Sequence, residues 1–177
     1  MASDLLHPAV AAAVVRHGLS VDVLACDPEL ADTAAFCAHY GYEVQDAANT
    51  ILVTSKKVEP TQLAVCVVLG TTRLDVNRAV RERMGVRRVS FADAEVTVAV
   101  TGMQIGGVTA PGIDGVPIWI DAAVMGRPRV VMGGGNRRSK LVLTPQELLK
   151  IPGSTVVEGL ATIAGPAPEH PPGDEQN

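Results

Sequence analysis

Aromatic side chains are scarce in this chain: two Phe, two Tyr and one Trp in 177 residues. Its core must therefore be aliphatic, packed from Val, Ala, Leu and Ile. No apolar run approaches the roughly 20 residues needed to span a bilayer. The N-terminus has neither the basic start nor the continuous apolar stretch of a signal peptide. The expected location is the cytoplasm, with no membrane partner. Cysteine is rare too. Cys26, Cys37 and Cys66 do not stand at zinc-ligand spacings, and a disulfide framework does not suit the cytosol; they read as small apolar fillers. No G-x-G-x-x-G follows a first strand and no Walker lysine loop is present, so nucleotide-cofactor chemistry has no support. His7, His17 and His39 fall in expected helices and His170 in the tail, none near a glycine loop in sequence. Neither a triad nor a zinc site is expected, and no cofactor or metal.

What the chain does contain is globular: 47% hydrophobic and 19% charged residues. Its length suits one core, read here as a single domain over 1–164. From Gly165 the sequence turns Pro-rich and polar, and residues 165–177 are expected to be a disordered tail. The net charge of −4 is uneven. Residues 73–140 carry 11 Lys/Arg and 6 Asp/Glu, a local +5 against −9 elsewhere. That segment could present a basic patch to nucleic acid, or simply solvated helix faces.

Periodicity and turn residues give the elements. A helix is predicted over 4–17, with Asp4 as N-cap and Gly18 as stop, and a second over 31–40, closed by Gly41. Strands are predicted at 21–26, 49–54, 63–69, 89–91, 118–120, 130–132 and 141–143. Asp75 caps a helix running to Met84, 92–100 begins like a helix, and Thr144-Pro145-Gln146-Glu147 opens a last short one. The strands are short and the alternation irregular, which favours an α+β domain with a mixed sheet over a regular doubly wound fold.

Two glycine-rich stretches stand about thirty residues apart: Thr101-Gly102 through Gly106-Gly107-Val108-Thr109 to Gly112, and Gly133-Gly134-Gly135 followed by Arg137, Arg138 and Lys140. Glycine lets backbone N–H groups approach a ligand closely. Between the stretches lies Ile118-Trp119-Ile120-Asp121, a buried strand ending in a carboxylate.

Taken in order with Arg73-Leu74-Asp75, Leu143-Thr144-Pro145-Gln146-Glu147-Leu148 and the early His7-Pro8-Ala9-Val10, these motifs resemble the YbaK-like family of aminoacyl-tRNA deacylases. Those proteins are relatives of the editing domain inserted in bacterial prolyl-tRNA synthetases. The resemblance implies a strongly curved mixed sheet with surrounding helices. It implies hydrolysis of the ester between a small mischarged amino acid and the 3′ end of a tRNA, with an aminoacyl-tRNA synthetase as a further partner. It also implies a lysine on the strand at 49–53, where this chain has Thr50. Lys56 is a poor substitute, six strand residues or roughly 20 Å away. Ala110 stands where the family has proline after Gly-Gly-Val-x, with Pro111 one later.

A ribose ester is already activated by its neighbouring hydroxyl, so the protein must orient it, stabilise the oxyanion and admit one water. The expected catalytic set is the amides of Gly106, Gly107 and Val108, with Thr50. Gly102, Gly134 and Gly135 complete the substrate loops, and the hydroxyl of Thr101 or Thr109 orients the amino group or the water. Asp121 either binds the substrate's α-ammonium or caps the helix that follows it. Arg137, Arg138 and Lys140 either meet an acceptor-stem phosphate or are solvated hairpin charges. The glycines could also form only a tight turn, and Thr50 could be only a half-buried strand residue. A binding module that has lost catalysis with the lysine is therefore the alternative function.

Overall fold

The computed structural model describes residues 2–164; the tail predicted from Gly165 lies outside the described residues. The strand with the most continuous apolar sequence, β3 (Leu63–Leu69), is buried at all but its first residue, as suits a strand covered on both faces. It pairs antiparallel with β2 (Ala48–Ser55) and parallel with β6 (Ile118–Asp121). Two edge strands complete a mixed five-stranded sheet, β5 (Val89–Phe91) against β2 and β9 (Ser154–Val157) against β6.

Alternation along the strands divides the core. Ala48 and Leu52 of β2, Val65 and Val67 of β3, and Ile118 and Ile120 of β6 enter the larger cluster with Val10, Met103 and Leu148. Their neighbours Val53, Cys66, Val68 and Trp119 point to the other face, against Val76, Val80 and Leu160. The cores are aliphatic, as the shortage of aromatics requires. Three of the five aromatic residues gather in one place. Phe36 of α2 (Thr33–Tyr40) stacks on Tyr40 and Tyr42, with ring centroids 4.7 and 5.4 Å apart.

A second, antiparallel sheet orders β1 (Asp22–Ala25), β8 (Ser139–Leu143) and β7 (Val130–Gly133) with β8 central. A single parallel bridge, Ala47 to Val131, joins it to the first sheet at the start of β2. That junction is where the cavity described below lies.

The first helix begins later than predicted. Residues Ala2–Leu5 form a 3-10 turn, and α1 spans Pro8–Arg16 with His7 rather than Asp4 as its cap. The His7 ring nitrogen accepts from Ala9 N at 3.2 Å, and Pro8 sits at the first helical position, where its missing N–H costs nothing. The helix predicted after Asp75 is π-type over Val76–Val80, with Val80 N donating to Asp75 O, and only then α-helical as α3 (Arg81–Met84). Next, α4 covers Ala94–Thr101, capped by the Asp93 carboxylate on Val96 N; α5 is one turn, Ala122–Met125. Pro145–Lys150 is 3-10. Besides β9, two strands escaped the sequence reading: β4 (Thr72–Leu74) and β10 (Ala161–Ile163), which pair only with each other.

Candidate functional site

Four backbone segments converge on one cavity of about 400 Å³: the start of β2, the end of β5, the Ala31–Thr33 approach to α2, and the loop after α4, with Gly133 and Lys140 closing it from β7 and β8. Thr50 and Gly106, far apart in sequence, both line it. The Thr50 hydroxyl is buried and has no hydrogen-bond partner among the described residues. A lone buried hydroxyl is a deficit in a folded protein unless something else satisfies it. Beside it, Asn49 Oδ1 accepts from Thr33 Oγ1 at 2.8 Å, tying α2 to β2. A smaller hollow of about 20 Å³ shares Thr33, Asn49 and Lys140 with the main cavity, room for about one water.

The two glycine stretches are partners of one another. Gly135 N donates to Gly107 O at 2.7 Å and Gln104 N to Gly135 O at 3.0 Å. The glycines allow that approach: a Cβ on Gly133 would lie 2.8 Å from the Gly107 carbonyl carbon, and one on Gly107 would lie 2.6 Å from Asn136 N. Close packing of backbone on backbone, rather than a shared ligand, accounts for much of the glycine content. The amides of Gly107, Gly134 and Gly135 are occupied, by Gln104 O, Ser139 O and Gly107 O. Gly106 and Val108 line the cavity, and their amides have no partner among the described residues.

Other expected residues lie elsewhere. Asp121 is 3% exposed. Its Oδ1 accepts from Leu160 N at 3.0 Å and Ala161 N at 3.3 Å, fastening β10. It neither lines the cavity nor caps α5 through its side chain. Thr101 Oγ1 donates to Thr97 O and accepts from Met103 N, which completes the end of α4; Gly102 is the left-handed cap beyond it, at φ 68°. Thr109 is fully buried, its hydroxyl has no partner among the described residues, and it does not line the cavity.

The three cations after the second glycine stretch separate. Arg138 is exposed and reaches Asp4 O at 3.1 Å. Arg137 lies over Gly106 and bridges to Pro28 O at 3.0 Å and the Asp32 carboxylate at 3.3 Å. Lys140 is no surface charge: it is 7% exposed, lines the cavity, donates to Ala31 O at 2.6 Å and sits 5.2 Å from the Phe36 ring centroid. The expectation that it meets solvent beside the arginines fails because β8 is covered on both faces, all five of its residues being buried. Burial pulls its ammonium below the ordinary lysine range. Cys26 and Cys37 are buried, as expected of fillers, and burial holds their thiols above the usual range.

At the rim, Phe91 and Ile105 are 55% and 45% exposed. Neither stood out in sequence, nor did Thr33 and Asn49. Single apolar or polar residues carry no motif, and only the fold brings these four to one opening.

Residues 27–151 match the family described as the aminoacyl-tRNA editing domain. Among solved structures, the hypothetical protein APE2540 superimposes with a TM-score of 0.77 at 24% identity, covering 87% of this chain and 99% of that one. A proposed trans-editing enzyme for prolyl tRNA synthetase superimposes at 0.74 and 25% identity, covering 86% and 97%. A proposed signal transduction protein from Marinobacter aquaeolei VT8 gives 0.63 at 17% identity, covering 88% of this chain and 31% of its own length, a likeness of fold alone. Comparison with curated proteins finds no match.

Proposed function

This chain belongs to the aminoacyl-tRNA editing domain family, and from that premise we propose that it is a trans-acting hydrolase clearing a small mischarged amino acid from tRNA. One observation carries the reading. Thr50, with an unpartnered hydroxyl, and Gly106 and Val108, with unpartnered amides, line a single cavity among the described residues. Its volume of about 400 Å³ is near the low end of the roughly 300–1,000 Å³ of ligand sites. That size suits an aminoacylated ribose with a small side chain.

In this reading the ester carbonyl points at the amides of Gly106 and Val108, which take the developing oxyanion. Gly107 drops out of the donor set because its N–H is held by Gln104 O. The Thr50 hydroxyl accepts from the substrate's α-ammonium, a role that Asp121 cannot fill from beneath β10. A water in the small hollow by Thr33 and Asn49 attacks the carbonyl carbon. The tetrahedral intermediate then collapses, the bond to the ribose oxygen breaks, and that oxygen takes a proton originating from the water. The neighbouring ribose hydroxyl assists its departure.

The acceptor stem needs cations outside the cavity. Arg87 and Arg88 are exposed and unpaired among the described residues. They precede β5, whose last residue Phe91 is on the cavity rim; at about 3.3 Å per residue, Arg88 lies roughly 10 Å from it. The partners in this reading are an aminoacyl-tRNA and a synthetase, in the cytoplasm.

Deacylation measured against a panel of correctly and incorrectly charged tRNAs tests the proposal. Selective release of a small amino acid is expected. Binding of charged tRNA without release from any member would instead support a non-hydrolysing module, a reading favoured by the occupied Gly107 amide and by threonine at position 50.

A further inference from the structure

Lys140 has a donor surplus that the protein does not use. An ammonium carries three N–H donors, and one goes to Ala31 O at 2.6 Å. The Phe36 ring takes part of the remaining field, 5.2 Å away. No carboxylate among the described residues forms an ion pair with Lys140. Asp32, whose charge acts on it, is paired with Arg137 instead. Yet Lys140 is 93% buried, being 7% exposed, and burying an unpaired cation is strongly unfavourable. Charged lysines are almost never this buried without a partner.

Lys140 is a wall of the main cavity and of the small hollow, together with Asn49 and Thr33. Thr50, whose hydroxyl has no partner among the described residues, lines the same cavity, as do Gly106 and Val108 with their unpartnered amides. A cation with unused donors and unpartnered amides around one space call for a ligand with an anionic oxygen. The bond to the Ala31 carbonyl uses Lys140 as a donor, and an anionic oxygen beside it would hold the ammonium charged against the burial that pulls its pKa down.

We infer that Lys140 is the cation of this site and binds an anionic oxygen of the aminoacyl-nucleotide end, either the phosphate of the terminal nucleotide or the oxyanion formed at the ester. The inference rests on the proposed function, since it takes the aminoacyl end as occupant. It gives the cavity a positive charge from β8, whereas the family resemblance looks for one on β2.

Binding to non-hydrolysable probes separates the possibilities and needs no turnover. Three probes are titrated calorimetrically: alanine joined to adenosine through a 3′-amide, the same compound with a 5′-phosphate, and an analogue with a 3′-phosphonate in place of the ester. The wild-type chain is expected to bind at least one anionic probe 10-fold or more tighter than the neutral amide. A preference for the 5′-phosphate identifies the nucleotide phosphate, and one for the phosphonate identifies the oxyanion. Lys140→Met is expected to lose that preference while keeping its affinity for the neutral amide, which a merely structural role of Lys140 would not produce. Should Lys140→Met unfold, the double variant Thr50→Lys, Lys140→Met returns a cation to the same cavity from β2 and is expected to restore the preference. A folded Lys140→Met, or a double variant tested against Thr50→Met, Lys140→Met, that leaves the preference unmoved would overturn the inference alone. Failure of the wild-type chain to bind any probe would overturn the proposed function, and this inference with it.

Discussion

Replacing Gly107 by alanine should damage the fold far more than replacing Gly102, although both belong to the same glycine-rich stretch. A Cβ on Gly107 would lie 2.6 Å from Asn136 N and closer still to that residue's carbonyl, where ordinary contact needs 3.4 Å or more. These are backbone atoms, so no side-chain rotation relieves the clash. The loops must part by more than 1 Å to restore ordinary contact. Their hydrogen bonds, Gly135 N to Gly107 O at 2.7 Å and Gln104 N to Gly135 O at 3.0 Å, would then be lost or badly stretched. At about 1 kcal/mol net for each, and about 1–3 kcal/mol for the overpacking, the loss is roughly 3–5 kcal/mol. For a domain of this size that corresponds to a fall in Tm of roughly 6–20 °C, at about 2–4 °C per kcal/mol. Gly102 has φ of 68° and nothing within 4 Å of a Cβ, so Gly102→Ala should cost only about 1 kcal/mol of backbone strain. Thermal unfolding followed by circular dichroism compares the pair. Equal losses would refute the argument that glycines here serve the packing of one loop on another.

Thr50→Val removes a hydroxyl that has no partner, so it should leave stability unchanged or raise it by up to about 1 kcal/mol, while deacylation falls about 10-fold; undiminished turnover would exclude Thr50 from the reaction. Asp121→Ala strands the buried amide of Leu160 and the partly buried amide of Ala161 and should cost about 2–4 kcal/mol without altering turnover per folded molecule; urea unfolding and active-site-normalised rates check both halves. Arg87→Ala with Arg88→Ala should reduce the salt dependence of tRNA binding by about 1.4–1.8 in the log–log slope, and an unchanged slope would place the acceptor stem elsewhere. Burial pushes the Cys66 thiol from 9.0 up to about 12. A raised folded-state pKa means that the unfolded chain releases its proton first, so stability is fully present below pH 9 and is lost as pH climbs toward 12. Cys66→Ala should flatten that decline, as measured by unfolding free energy at pH 8 to 11.

The elements that the sequence revealed most directly are those where local chemistry and burial agree. The run Leu63–Leu69 became a strand covered on both faces, and Gly41 and Gly85 ended helices in the left-handed conformation, at φ 76° and 66°. The missed strands β4, β9 and β10 show the opposite case. They are three or four residues long and only one of their residues, Leu74, is buried, so neither periodicity nor apolar content announces them; a partner strand makes them strands. The early start assigned to α1 failed for a different reason. Asp4 is a good cap in isolation, but Pro8 fixes the first turn and leaves His7 to cap it.

The sequence by itself determined the class of the domain, its aliphatic core and the family to which residues 27–151 belong, because patterning, turn residues and motif order are properties of the chain alone. It also pointed to the loop that holds Gly106 and Val108. Only the tertiary structure decided which polar groups share a space. Asp121 looked like a site carboxylate and is instead held under β10, while Lys140 looked like a surface cation and is a wall of the cavity. The physical reason is that a side chain's role depends on which face of its strand meets ligand space and which of its bonds the protein already satisfies. Both are fixed by contacts between residues more than a hundred positions apart, such as Lys140 with Ala31, and no local pattern records them.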